Sequence, residues 1–512
     1  MPNDQTRINE IVRRVVGRVQ RGEAADRYAP VATPSSAGGL PPSPAATPFR
    51  PPGAVSAVPG PPRRDDGGPG GDEGIHETMD GAVAAAQWSH QRLAALSIAR
   101  RETIIAALRK MTIEQAENFS RITVEETGMG RVETKIQKHV LIAERTPGTE
   151  DLTPTAWTGD DGLTLVEYAP FGVIGAITPS TNPTSTIVCN GIGMVASGNG
   201  VVFNAHPGAK RCSEEVIRWF NRTVEANGGP PSALNAVRQP TIKTAQTMMG
   251  HPGVSILVVT GGPAVVKVAL SMGKKAICAG DGNPPAVVDE TADADQAGRD
   301  LVIGAGFDNN VVCVLEKEII AVDSIADPLL GSMRAHGAVQ IQPHQLQRLK
   351  RAIFEVDNGP GKHAVVNKNF VGKDASVILK EIGISAGPEA KLVIAETSAD
   401  DSLVWTEQLM PVIPVVRVRS ADEAIDLAVA AEGGRRHTAT MHSKNIDALS
   451  KMARAVKTSI FVKNGPSIAG LGYGGEGFAS FSIASPTGEG LTSARDFSRQ
   501  RRCTMVDSFR IV

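Results

Sequence analysis

A chain of 512 residues is too long for one ordinary domain and, at roughly 150 residues per domain, reads as about three units. Its 53 Lys and Arg balance 54 Asp and Glu, and aromatics make up only 4%, so neither charge nor stacking surface argues for nucleic acid or an anionic membrane as partner. Five dispersed cysteines (189, 212, 278, 313 and 503) form no CxxC pair and no zinc spacing, so no metal site is expected and free thiols in a reducing compartment are.

No apolar run approaches the 18 or so residues of a membrane span, and the basic N-terminus lacks the continuous apolar region of a secretory signal. The expectation is a cytoplasmic enzyme. Residues 4–20, DQTRINEIVRRVVGRVQ, predict an amphipathic helix. Ile8, Ile11, Val12, Val15, Val16 and Val19 form its apolar stripe, and Arg13, Arg14 and Arg18 lie off it. So short a helix is marginal alone and needs a surface to dock on. Residues 21–75 are rich in Pro, Gly, Ala and Ser and predict a disordered spacer. A helix on a tether suggests a targeting element.

The body, 76–512, opens with helices: an Ala-rich one from His76 to Leu96, a second from about Ser97, and a third capped by a Thr112–Gln115 box. From about 163 strands appear: 163–168, VIGAIT at 173–178, GVVFNA at 200–205, SILVVT at 255–260 and KAICAG at 275–280. Helical stretches at 184–197, 209–227 and 263–273 separate them. Alternating strand and helix implies an α/β fold with a parallel sheet covered on both faces.

Two segments stand out chemically. VTGGP at 259–263 ends a strand, supplies two glycines and starts a helix, which lets backbone N–H groups approach a phosphate. It is not GxGxxG, and an ordinary structural turn would look the same. Cys313 lies in GAGFDNNVVCVLEKEIIAV, between a Gly/Asn-rich stretch and a strand-like run. Composition alone reads such a cysteine as a core residue.

Together with YAPFGVIGAITPSTNP at 168–183 and TEQLMP at 406–411, these segments resemble the aldehyde dehydrogenase superfamily, in the family's order, across 76–512. AGDGNPPAVVDETAD at 279–293, FDNNVVCVLEKE at 307–318 and HTATMHSKN at 437–445 are most similar to its CoA-acylating branch, the propionaldehyde and acetaldehyde dehydrogenases of bacterial microcompartments. The resemblance implies a Rossmann-type NAD-binding domain over 76–308 and an α/β catalytic domain over 309–480. It further implies a C-terminal return over 481–512 that forms a β oligomerisation flap with strands near 153–168, in a dimer or tetramer.

By the same resemblance Cys313 is the nucleophile. Asn182 and the Cys313 N–H stabilise the oxyanion. Thr178, Pro179, His206, Pro207, Thr260, Gly261, Gly262 and Glu407 hold NAD. His206 stands where the family carries a lysine, which puts that one ribose contact in question. His437 has a matching place but reads as a packing residue, and Cys189, Cys212 and Cys503 read as structural. Where hydrolytic members place the glutamate that activates water, this chain has Cys278, with Asp281 three positions on. A thiol needs less activation than water, so loss of the base favours transfer to coenzyme A.

The expected reaction is oxidation of a short aldehyde, propanal first and acetaldehyde second, to acyl-CoA and NADH. In that branch a tethered helix directs the enzyme to a microcompartment shell protein, the partner expected for residues 4–20. A hydrolytic, CoA-independent dehydrogenase, a non-enzymatic assembly protein and a reductase on a similar sheet are the rival readings. The missing glutamate opposes the first, and the retained Cys313, Asn182 and Glu407 oppose the second. The segment around Cys313 opposes the third.

Overall fold

The structure, a computed structural model, describes residues 71–511; the expected helix over 4–20 and the spacer up to residue 70 lie outside the described residues. The body begins slightly ahead of the expected boundary at 76. Strand β1 (Ile75–His76) already pairs in parallel with β6 (Leu234–Val237), Ile75 is buried, and Asp72 and Glu73 are ion-paired with Arg218 and Arg222.

Four helices come first: α1 (Met79–Ala95), α2 (Ile98–Glu114), α3 (Ala116–Thr127) and α4 (Val132–Arg145). Ser97 caps α2 by accepting the Arg100 N–H, as its position before the apolar repeat predicts. The expected Thr112–Gln115 capping box is absent. Thr112 is buried in the last turn of α2 and gives its hydroxyl to Leu108 O, and Gln115, the α3 cap, makes no side-chain cap bond. The motif is consumed by the helix before it.

The first sheet contains β1, β4 (Val173–Ile177), β5 (Gly200–Asn204), β6, β7 (Ile256–Thr260) and β8 (Lys275–Ala279), in the order β1-β6-β5-β4-β7-β8, all parallel. Every residue of β4, β5 and β7 is buried, which is why they read as continuous apolar runs rather than alternating ones. The chain runs from β4 outward through β5 to β6, then returns past β4 to β7 and β8. The winding direction therefore reverses between β4 and β7, and a crevice opens outside their carboxyl ends.

A second parallel sheet has seven strands, in the order β11-β14-β15-β10-β9-β16-β17. They are β9 (Pro285–Val288), β10 (Glu318–Val322), β11 (Ala338–Gln340), β14 (Leu392–Thr397), β15 (Val412–Val418), β16 (Thr438–His442) and β17 (Ile460–Lys463). A hairpin of β12 (Phe354–Val356) and β13 (Val365–Val366) lies between β11 and β14 in the chain. By sheet membership the chain leaves the first sheet between Ala279 and Pro285, ahead of the boundary expected at 308. It returns afterwards: Phe481, Ile483, Ala494 and Phe497 pack in the core that holds Ile174 and Phe203. The short pair β18 (Ile483–Ala484) and β19 (Gly490–Leu491) belongs to that return.

The third sheet is an antiparallel ribbon of β2 (Thr155–Gly159), β3 (Gly162–Pro170) and β20 (Ser498–Val506), in that order. Residues 499–506 are all exposed, Cys503 among them. Cys503 is thus no core thiol, whereas Cys189 and Cys212 are buried. The alternation that marks 498–506 as a strand does not tell whether either face is covered.

Candidate active site

The loops that leave β4, β5 and β7 enclose a cleft of about 490 Å³ at their carboxyl ends. Thr178, Pro179, His206, Pro207, Thr260, Gly261 and Gly262 line it together with apolar Ile242, Met249 and Val265. Seven of the eight residues expected to hold NAD thus share one crevice. Three features fit a dinucleotide there. The Thr178 hydroxyl is buried and has no partner. Gly262 precedes Pro263–Leu270, a helix with no side-chain cap, and a Cβ on Gly262 would meet nothing within 4 Å. An uncapped helix start beside open backbone can receive a phosphate. His206 uses Nδ1 to accept the Gly208 N–H at 3.1 Å. Burial, and then Lys368, hold its pKa below the usual histidine range, so a neutral ring replaces the family's cation.

Glu407, Cys313 and Asn182 form a second cluster, outside that lining. Cys313 follows a turn, Phe307–Asn310, in which Asp308, Asn309 and Asn310 have φ of 47°, 53° and 63°. Left-handed backbone at three consecutive non-glycine residues is strained and must be held by contacts. Asn309 Nδ2 donates to Gly372 O and Asp374 Oδ1, and Asn310 Nδ2 donates to Ala305 O and Glu316 O. Lys317, fully buried, donates to Asn310 Oδ1 at 2.5 Å and to the Asn310 and Val312 carbonyls at 3.3 Å. Burial pushes the Cys313 thiol up to about 12, the nearby Glu407 carboxylate adds to this, and Lys317 opposes both.

Asn182 ends the β4 loop just before the helix Pro183–Ala196, so one loop lines the cleft with Thr178 and Pro179 and reaches the backbone at Val311, two residues before Cys313. Its Oδ1 accepts from Lys138 Nζ at 2.5 Å, and its Nδ2 donates to Val311 O at 3.2 Å. The amide nitrogen is therefore turned toward the nucleophile turn, and its second hydrogen stays available.

Glu407 is half-buried rather than a solvated surface residue, and its Oε1 accepts the Gly282 N–H at 3.3 Å. Burial lifts its carboxyl to about 7, against the pull of Lys317 and with the help of Asp281. Gly282 also passes between Cys313 and His437. A Cβ there would lie 2.8 Å from Cys313 O and 3.0 Å from the imidazole Cγ, so only glycine fits. His437 is fully buried, pairs Nδ1 with the Thr438 hydroxyl at 2.9 Å and leaves Nε2 without a partner. Burial lowers its pKa to about 4, so the ring is neutral. Cys278, at the end of β8, is buried, and burial raises its thiol to about 11. Asp281 is tied to Arg435 Nε at 2.9 Å.

Sequence reasoning missed Lys138, Lys317 and Asp308. Its one available signal was a charge inside an apolar pattern: Lys138 shares a helix face with Leu141 and Ile142, and Lys317 sits in a run that is otherwise strand-like.

The profile of the Aldehyde dehydrogenase family matches residues 72–349. The acetylating acetaldehyde dehydrogenase of Escherichia coli (strain K12) is 49% identical over 440 residues, 86% of this chain and 94% of that relative. The CoA-propanoylating propanal dehydrogenase of Salmonella typhimurium (strain LT2) is 44% identical over 440 residues, 86% of this chain and 93% of its own length. Among solved structures, the Rhodopseudomonas palustris propionaldehyde dehydrogenase with bound CoA and an acylated cysteine superposes at a TM-score of 0.83 with 50% identity, covering 85% of this chain and 98% of that one. The propionaldehyde dehydrogenase from the fucose utilisation microcompartment of Clostridium phytofermentans gives 0.83 with 47% identity, covering 86% and 100%. A family profile over more than half the chain and relatives at nearly half identity agree: the chain belongs to the aldehyde dehydrogenase family.

Proposed function

We propose that this protein oxidises a short aliphatic aldehyde, propanal or acetaldehyde, with NAD and passes the acyl group to coenzyme A through a thioester on Cys313. The observation that carries this reading is the pair of thiols: Cys313 in the nucleophile turn, and Cys278 where hydrolytic members place a glutamate base. The names of the relatives, acetylating and CoA-propanoylating, support it.

Cys313 reacts as a thiolate and attacks the aldehyde carbon. The free Asn182 amide hydrogen and the Cys313 N–H receive the negative oxygen of the thiohemiacetal. NAD, when bound, supplies the acceptor for the hydride that leaves this carbon. Thr178, Gly261, Gly262 and the loop of His206 and Pro207 would hold the dinucleotide, and Glu407 would take its nicotinamide-side ribose. Cys278 offers water no base, so the acyl group stays on Cys313 until a thiol arrives. Coenzyme A has a thiol pKa near 8.5 against about 15.7 for water, so it needs far less help from a base.

NADH formation from propanal and NAD tests this, with and without coenzyme A, on the wild type and Cys313→Ala. Sustained turnover is expected only with coenzyme A and only in the wild type. Sustained turnover without it would mean that water reaches the thioester, and the hydrolytic reading would replace this one.

Two further assignments belong to the same reading. Residues 4–20 bind a microcompartment shell protein, with the residues from 21 up to the start of the folded body as spacer, so that the enzyme lies inside a microcompartment; the Clostridium phytofermentans relative comes from one. The ribbon of β2, β3 and β20 joins copies of this chain into a homo-oligomer.

A further inference from the structure

Helix α4 turns Lys135, Lys138 and His139 inward, an i, i+3, i+4 set on one face that also buries Ile136 and Ile142. Both lysines are 1% exposed. Burying an ammonium costs several kcal/mol unless a partner meets it. The carboxylate that meets both is Asp308, fully buried in the nucleophile turn, which bonds Lys135 Nζ at 3.1 Å and also Lys138 Nζ. Asp308 accepts in addition the Arg131 N–H at 3.0 Å and the Thr134 hydroxyl at 3.3 Å.

Two lysines therefore share one carboxylate, and Lys135 alone would neutralise it. Lys138 does something more: it donates to Asn182 Oδ1 at 2.5 Å, and Asn182 Nδ2 points to the turn that presents Cys313. His139 adds no opposing or competing charge, since burial keeps it neutral, and it bonds at 3.1 Å the hydroxyl of Thr184, the second residue of the helix that follows Asn182.

We propose that Lys138 is a positioning residue for the oxyanion, gripping Asn182 Oδ1 so that the amide presents its nitrogen to Cys313 and donates more strongly. The inference rests on the function proposed above and deepens it. Two physical effects combine. An amide can flip by half a turn at little cost, and a donor on its oxygen removes that freedom, whether Lys138 is charged or neutral: burial, against the pull of Asp308 and with the help of Lys135, lowers its pKa to about 7. The charged form of Lys138, which prevails below about pH 7, also draws electron density from the nitrogen, and chained hydrogen bonds in a dry site strengthen one another. Both effects act on the negative oxygen formed when the thiolate adds to the aldehyde, and neither is needed to bind the uncharged aldehyde.

The test uses the full chain with propanal, NAD and coenzyme A, comparing wild type, Lys138→Met and Lys138→Gln. Asp308 keeps Lys135 in both variants, and the glutamine keeps a donor toward Asn182 without the charge. Losing an oxyanion donor costs about 10²–10³ in kcat, so Lys138→Met is expected to lower kcat by roughly 10–100-fold with KM for propanal within about threefold, and Lys138→Gln to fall between it and the wild type. Alkylation of Cys313 by iodoacetamide forms no oxyanion, so its rate is expected to stay at the wild-type level in both variants. A kcat for Lys138→Met within about twofold of wild type would overturn the proposal. So would a parallel fall in kcat and alkylation rate, which is the mark of a disturbed turn. A wild type that makes no NADH from aldehyde would instead sink the function reading, and this proposal with it.

Discussion

At the scale of single residues, the resting charge of Cys313 is set by its surroundings in a direction that can be measured. Burial and the Glu407 carboxylate favour the thiol and push its pKa up to about 12, while Lys317 favours the thiolate. A thiol raised this far is mostly protonated at neutral pH. Only the thiolate reacts, so its fraction grows by about tenfold per pH unit below the pKa. We expect the alkylation rate of the free enzyme, followed by mass spectrometry, to climb steadily from pH 7 to 10. Glu407→Gln removes a neighbouring negative charge and should speed alkylation at pH 8, whereas Lys317→Met should slow it. A plateau already reached by pH 8 in the wild type would show that the turn stabilises the thiolate and would refute this account. The residue scale is also where sequence was least informative. Cys313, Asn182 and Glu407 could be named because the family motif carries them. Lys138 and Lys317 could not, because a lysine in a pattern reads as solvated until the structure shows it buried against Asn182 Oδ1 or Asn310 O.

Burial alone did not make an element legible: β9 and β16 of the second sheet are buried at every position and were not singled out as strands. Strands β4, β5 and β7 are buried at every position and announce themselves as apolar runs. The four-residue β6 and the short helix Ile242–Gly250 escaped notice, because neither is long enough to show a period. Capping chemistry was legible at Ser97 and misleading at Thr112, where burial in α2 overrode the local motif. The helix expected over 4–20 is the element whose role is most separable from the fold. On the function proposed above, its stripe of Ile and Val would dock on a surface outside the enzyme, with the expected spacer giving it the reach. Deleting residues 1–20 should therefore leave kcat and KM unchanged and abolish co-purification with assembled shells. Unchanged co-purification would remove the targeting role.

For the molecule as a whole, the ribbon of β2, β3 and β20 poses a problem that one chain does not solve. Strand β20 pairs with β3 along all of Ser498–Val506 but is itself an edge of the sheet. Its residues 499–506 are exposed, and so is every residue of β2. Trp157, Met505 and Val506 are exposed large apolar side chains there, at 54%, 45% and 65%. A long edge with apolar side chains in water invites pairing, and a second copy of the same chain is the partner that closed symmetry supplies most simply. The same ribbon joins the ends of the body, since β3 leads through Pro170 into β4 of the first sheet and β20 follows Phe497 of that sheet's core. Assembly through it would thus brace the sheet that carries the cleft. Light scattering on the full chain at micromolar concentration should give a dimer or tetramer. Met505→Asp combined with Val506→Asp places two charges on side chains that make no core contact, so each subunit should fold as before while the mass falls to that of one chain or one dimer. A monomeric wild type, or a double variant that keeps the full mass, would mean that copies do not meet through this ribbon.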